Sequence, residues 1–396
     1  MKYILIALLS VSFLYAAKVV QVDEKYQQSQ KCKSCHLPIV KEWKASWHAK
    51  SHFKNDEYFR ATTKYVSKKT RKSLNSVKVQ CATCHNPRIS VTSTDEDYEI
   101  DAIMGLDGDS EVNKALESDA IGEGINCVVC HNIDKINHSA PASKRGINRV
   151  EWTKSGTMSG PYNDAKSPYH KVVARDFMGK KSDQLCFVCH ANDRSASGLV
   201  FTNMQKEYKK GQKGCVDCHM GPKEMGIAST LRIDNGKPRK REIRSHGFIG
   251  GHVDSMWRDA LSLKLKSKGK NVLVEIDNPQ PHNIPSGFGS REIIVDLVYK
   301  NGSKVIESKT ISLTRHYVRK KGKPSVAHMA ISQTKDISIP AKGKRVLKVA
   351  KVKGASSVEV TLSYRLVNDE VRNLLKLKDA LWARKSFIAK KSLKLK

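Results

Sequence analysis

All ten cysteines of this 396-residue chain stand in five pairs of the form Cys-x-x-Cys, and a histidine directly follows each pair. The triplets are Cys32/Cys35/His36, Cys81/Cys84/His85, Cys127/Cys130/His131, Cys186/Cys189/His190 and Cys215/Cys218/His219. A disulfide framework explains an even cysteine count in an exported chain but not the trailing histidines. Zinc ribbons also use Cys-x-x-Cys pairs, and a thioredoxin-like redox site uses one pair, not five. With 14 histidines in 396 residues, His after every pair has a chance probability below about one in a million. The pattern is that of c-type haem attachment. Two thiols three residues apart on a helical turn add to the vinyl groups of haem, and the next residue places its imidazole under the iron. Each triplet therefore offers two thioether bonds and one axial bond, and the expected cofactor is five covalently bound haem c.

A second axial histidine for each haem must come from elsewhere. Nine histidines lie outside the motifs: His48, His52, His138, His170, His246, His252, His282, His316 and His328. His48 and His52 are four apart in an expected helix over 39–59, where Trp43, Trp47 and Phe53 recur at roughly helical spacing, so the two histidines share a face. Both reach haems, or one ligates and the other is an ordinary side chain. His170 stands sixteen residues before the fourth motif, and His246 and His252 bracket the flexible run Gly247-Phe-Ile-Gly-Gly just after the last. His282 lies in a Pro/Gly loop, Asn278-Pro-Gln-Pro-His-Asn-Ile-Pro-Ser-Gly, between two expected strands. His316 and His328 sit on or beside strands and read as ordinary side chains. Met220 is too near His219 to reach round that iron.

Several of these segments together resemble multihaem cytochromes related to the nitrifiers' tetrahaem electron carrier and to hydroxylamine oxidoreductase. They are Trp43-x-x-Ser46-x-His48-Ala49, Gly160-Pro-Tyr with Ser167-Pro-Tyr-His170, Cys218-His-Met220, Ser245-His-Gly-Phe-Ile-Gly-Gly-His252 and His282-Asn-Ile-Pro-Ser-Gly. The resemblance covers roughly residues 30–300. It implies haems stacked in a short wire, mostly with two axial histidines, and His48, His170, His246, His252 and His282 as the distal ligands. One haem more than in the tetrahaem carrier, and a strand-rich C-terminal part, set this chain apart.

The elements that carry these residues fall into two classes. The motifs start 49, 46, 59 and 29 residues apart, too unevenly for a repeat array. Up to residue 258 the sequence is polar and loop-rich with short helices, too poor in apolar runs for an ordinary core, so haem must fill the interior. From 259 onward short alternating segments appear, including 261–266, 272–276, 292–298, 306–313, 337–339, 346–349 and 358–364, separated by turn residues. The expected fold is a mainly α, loop-rich multihaem cytochrome c domain over 18–258, followed by an all-β immunoglobulin-like sandwich over 259–367. Residues 368–396 mix leucines with nine basic residues and read as a basic tail or helix. Met1–Ala17 carries Lys2, then an apolar run from Tyr3, then small residues at Ala16 and Ala17. This reads as a signal peptide for export to the periplasm, the alternative being an uncleaved anchor.

Net charge is +32, of which residues 259–396 contribute +19. The stretch 95–123 holds eleven acids and a single lysine, and reads as a solvated loop. Haem propionates and ferric iron lower the net charge without changing its sign. The field favours acidic redox partner proteins or peripheral contact with an anionic membrane surface. Nucleic acid is not expected of an exported cytochrome. Two functions remain. One is an electron-transfer protein passing electrons one at a time along closely spaced bis-histidine haems in respiration. The other is a haem enzyme acting on a small nitrogen or sulfur oxyanion at a haem with a vacant distal position. Similar pentahaem nitrite reductases attach their catalytic haem through Cys-x-x-Cys-Lys, which is absent here, and no catalytic residue is assigned.

Overall fold

The computed structural model describes residues 27–395 except 92, 142–143, 155, 210, 212, 233 and 335–336. The expected leader at 1–17 lies outside the described residues. The chain is helical in its N-terminal region and strand-rich in its C-terminal region.

Every motif lies on a helix, as the spacing of its two thiols requires. The first sits in Ser29–Ala45, which is kinked at His36, directly after Cys35 and two residues before Pro38. Proline cannot donate the helical hydrogen bond and crowds the preceding turn, which explains the break. The other four helices, Leu74–His85, Cys127–His131, Asp183–His190 and Cys215–His219, each end on the motif histidine. Between them run loops, further short helices and two-stranded ribbons.

The expected helix over 39–59 is two helices. The first stops at Ala45, the extended residue Ser46 leads out, and Glu57–Thr70 begins after Asp56, whose side chain accepts from the Phe59 amide. Of the three periodic aromatics only Trp43 is on a helix, and Trp47 and Phe53 lie in the turns between the two helices. His48 and His52 therefore lie in turns and share no helix face. The acidic stretch is not a loop either. It forms helices Glu96–Met104, Glu111–Glu117 and Asp119–Gly122. Tyr98, Val112, Leu116 and Ile121 pack with Val79 and Ala82 of the second-motif helix.

In the C-terminal region seven antiparallel strands make two sheets: β1 (Ser262–Lys268), β2 (Asn271–Asn278), β3 (Glu292–Asn301), β4 (Lys304–Thr314), β5 (Gly343–Ala350), β6 (Ser357–Arg365) and β7 (Ser386–Lys394). One sheet has the order β5-β2-β1 and the other β4-β3-β6-β7. Alternate residues of β2 point inward, so Val272, Val274 and Ile276 meet Val295, Leu297, Val360 and Leu362 of the other sheet in one core. The seventh strand is not the expected 337–339, where Ile339 makes only an isolated bridge with Ile284. It comes instead from the expected basic tail, of which only Asp369–Leu375 is α-helical. Residues 386–394 pair along β6, with Ile388 inside and lysines outside. Lysine-rich edge strands resist pairing with other chains, which is why this strand reads as a charged tail.

The two regions interlock. Tyr58 of Glu57–Thr70 packs with Val326, Val367, Val371, Leu375 and Trp382. Glu57 accepts from the Lys378 and Asp379 amides at 2.8 and 3.0 Å and from the Trp382 indole at 2.6 Å. No described helix is long and apolar enough to cross a membrane.

Ile388 is 0% exposed. Replacing it with Ala should cost about 2–5 kcal/mol through lost burial and a residual cavity. Chemical denaturation of the holoprotein measures this, and a loss below about 1 kcal/mol would mean that 386–394 is not a core strand.

Candidate functional site

All ten cysteines are half-buried and none is in a disulfide. They are grouped across motifs. Cys32 adjoins Cys127, Cys84 adjoins Cys189, and Cys186 adjoins Cys215. Cys130 and Cys186 lie close enough for their charges to interact. In space the motifs therefore run first, third, fourth, fifth, with the second beside the fourth.

Cys35 stands apart from this pattern. Its thiol is within interaction range of Cys32 in its own motif, and the Ser34 hydroxyl lies 3.8 Å from its sulfur. Its carbonyl accepts from the Thr230 amide at 2.8 Å, so the turn that is expected to continue as helix is instead tied to a distant loop. The kink at His36 is what frees that carbonyl for an outside donor. Cys218 keeps the expected arrangement, one residue before His219 on the short fifth-motif helix.

Four of the motif histidines are oriented through Nδ1. His36 donates to the Ala228 carbonyl at 2.7 Å, His131 to that of Ser159 at 2.8 Å, and His219 to that of Ile249 at 2.6 Å. The Ser51 hydroxyl bonds His85 Nδ1 at 3.1 Å. An imidazole held this way presents Nε2 to a metal. Burial is the main cause that brings His85, His131 and His190 down to about 4, so each is the neutral, ligating form.

Opposite three of these rings stands a second imidazole. His48 faces His190 with ring centres 6.4 Å apart, His246 faces His131 at 6.3 Å, and His282 faces His219 at 6.4 Å. Two imidazoles bound on opposite sides of one metal, at about 2.0 Å each, place their ring centres about 6.3 Å apart. The gap between the rings matches an iron, and the residues fit covalently attached haem.

Each facing histidine is delivered by a specific local structure. His48 sits in the turn after Ala45, where its carbonyl accepts from the Ser51 and Ile125 amides. Burial first, and then the His190 charge, lower its imidazole to about 3. The His246 amide donates to Glu42 at 2.8 Å, while the Ser245 and Ile249 amides bond the Met220 and His219 carbonyls, laying this segment along the fifth motif. His282 is fixed by Asn278, whose side-chain amide donates to the His282, Ile339 and Pro340 carbonyls at 2.9–3.1 Å. Glu42 and Asn278 carry no sequence signal for this work, since each acts on a residue's backbone rather than its side chain.

The remaining assignments divide. His170 lies close enough to His36 for their charges to interact. His252 meets Trp47 in a tilted contact at 4.9 Å and, among the described residues, is not brought opposite a motif ring at the 6.3–6.4 Å spacing. The ring against His85 belongs to Phe59, parallel within 7° at 4.3 Å. His52 is buried, with Nδ1 accepting from the Lys54 amide.

No family model matches the chain, and no curated protein matches it. Among solved structures it is similar to a penta-heme cytochrome c552 from Thermochromatium tepidum, with a TM-score of 0.67 and 20% identity. The match covers 93% of this chain and 98% of that one. The chain has a multihaem cytochrome c fold. Because so much of both chains is matched, the strand-rich region belongs to that cytochrome fold and is not an appendage to it.

Gly146 has φ +55°, and a Cβ there would collide with the Thr83 carbonyl and stand 2.8 Å from Cys84 Sγ. Gly146→Ala should therefore disturb the second motif selectively. Haem content per chain is expected to fall by up to one in five, with the other haem spectra unchanged. Full haem content with an unaltered spectrum would contradict this packing.

Proposed function

We propose that this chain is an exported electron-transfer cytochrome that carries five haem c groups and passes electrons one at a time between redox partners in respiration. Three facing imidazole pairs carry this reading, because a protein ring already fills the position where a substrate would bind. Haem supplies the one-electron chemistry when bound. The chain's part is to hold ten thiols and the axial imidazoles in register, and to set the motifs side by side so that neighbouring groups are close. Export to the periplasm is supported by the leader sequence, and the haem-stack grouping by the segments that deliver His48, His246 and His282. The immunoglobulin-like reading of the sandwich is supported by its strand order, β1, β2 and β5 against β4, β3, β6 and β7.

The alternative, an enzyme acting on a small nitrogen or sulfur oxyanion, draws on the second motif. There the ring stacked on His85 is that of Phe59, and no imidazole stands at the 6.4 Å spacing among the described residues.

The partner surface follows from charge. Lys320, Lys321 and Lys323 form an exposed turn, and Lys391 and Lys394 lie on the outer side of β7. Exposed charge of this kind steers encounter with an acidic partner and is screened beyond about 8–10 Å at physiological salt.

Intact mass and haem staining after denaturing electrophoresis are expected to show five haems and no free thiol, and a disulfide or fewer haems would refute the count. Reduction rates with an acidic redox protein should fall as salt rises, and fall less steeply when Lys320, Lys321 and Lys323 are changed to Glu. Stopped-flow traces insensitive to both changes would remove the basic surface from docking.

A further inference from the structure

His328 occupies the one-turn 3-10 segment Ala327–Met329, between the short strands Lys323–Pro324 and Ser332–Gln333. Its carbonyl accepts from the Ala196 amide at 3.2 Å, and its ring meets Phe201 at 4.8 Å and 65°. Neither ring nitrogen is satisfied by the protein. Nδ1 is sealed from solvent with no hydrogen-bond partner. Nε2 stands 3.9 Å from Asp193 Oδ2, beyond hydrogen-bond reach. The side chain as a whole is only half-buried, at 30% exposed, but a sealed nitrogen without a partner is costly unless another group completes it.

The surroundings place that group at the second motif. Asp193, three residues after His190, accepts from Arg145 Nη1 at 2.8 Å. The next residue, Gly146, packs directly on the Thr83 carbonyl and Cys84 Sγ. His328, Asp193, Arg145 and Gly146 thus form a continuous wall beside Cys84 and His85. His85 is also the motif histidine whose ring partner is a phenylalanine.

We propose that His328 is the sixth ligand, opposite His85, of the haem attached through Cys81 and Cys84. The proposal rests on the five-haem reading. The electrostatics agree with it. Among histidine charges, that of His328 acts most strongly on His85. Ring geometry already pairs His48 with His190, His246 with His131 and His282 with His219, and the histidine charge that acts on His170 is that of His36. Each motif histidine then has one partner from outside the motifs. His252, which the resemblance nominates, meets Trp47 in a tilted contact at 4.9 Å, and among histidines its electrostatic neighbour is His219, which already faces His282.

The test is low-temperature EPR of the ferric holoprotein alongside haem content per chain. The wild type should hold five low-spin haems and no high-spin haem. His328→Ala should convert one of the five to high spin, with five haems still attached and the low-spin signal restored by added imidazole. His328→Met keeps a ligand in place, so that haem should stay low-spin while its potential rises. His252→Ala should leave all five signals unchanged. A high-spin haem in the wild type, five low-spin haems in His328→Ala, or loss of one in His252→Ala would each overturn the assignment. Should His328→Ala fail to fold, the wild-type spin count and the potential of His328→Met still decide it. Fewer than five haems in the wild type would instead refute the haem count on which the proposal stands.

Discussion

An iron held between two imidazoles fixes their ring centres about 6.3 Å apart, and the long-range order of this chain is organised around that spacing. The motif histidine comes from a short local helix. Its partner comes from far away in sequence: His48 for His190, His246 for His131, His282 for His219. The apolar contacts beside the third motif are correspondingly thin, with Val128 buried and only Trp152 and Met158 against it among the described residues. With haem bound, ligation and thioether bonds would take over part of the work that a core does elsewhere, and cofactor binding would be linked to folding of the region that binds it.

The sandwich shares in this. It has an ordinary core of its own, but it also sends the loop carrying His282 to the fifth motif, held by Asn278 against Ile339 and Pro340. Tyr58 bonds the Ser290 hydroxyl at 3.3 Å, and Arg315 donates to the Phe201 carbonyl at 2.9 Å, so contacts cross the boundary at several places. Movement of one region against the other would separate His282 from His219. Rigidity at this junction thus keeps that ring pair in register, and the spatial order of the motifs does not follow sequence order, because the thiols of the first motif adjoin those of the third.

What the sequence revealed follows the range of the interactions involved. The attachment motifs are legible because thioether chemistry needs its residues within one helical turn. The departure at Cys35, where the helix bends and the carbonyl turns to Thr230, depends on a loop almost two hundred residues away and leaves no local mark beyond Pro38. Six of the seven sandwich strands are legible because a half-buried strand alternates with period two. The seventh, Ser386–Lys394, was hidden by its own edge position, where lysines face outward and mask the buried Ile388. The break between Ala45 and Glu57 was hidden because Trp43, Trp47 and Phe53 mimic one helical stripe while the last two lie in the turns between helices. The facing histidines are the least legible class, since nothing local marks a histidine that meets a motif histidine through tertiary contact. His252 carried a motif-like setting and lies on Trp47, whereas His328 carried none and lies beside His85.

The central claim is that facing imidazoles from distant segments define where the irons sit. Iron-edge anomalous diffraction from crystals of the holoprotein tests it most directly. The account predicts five iron peaks, three of them midway between His48 and His190, His131 and His246, and His219 and His282. Their spatial order should run through the first, third, fourth and fifth motifs, with the second beside the fourth. Iron positions displaced from these three ring pairs, or an order that follows the sequence from first motif to fifth, would contradict it.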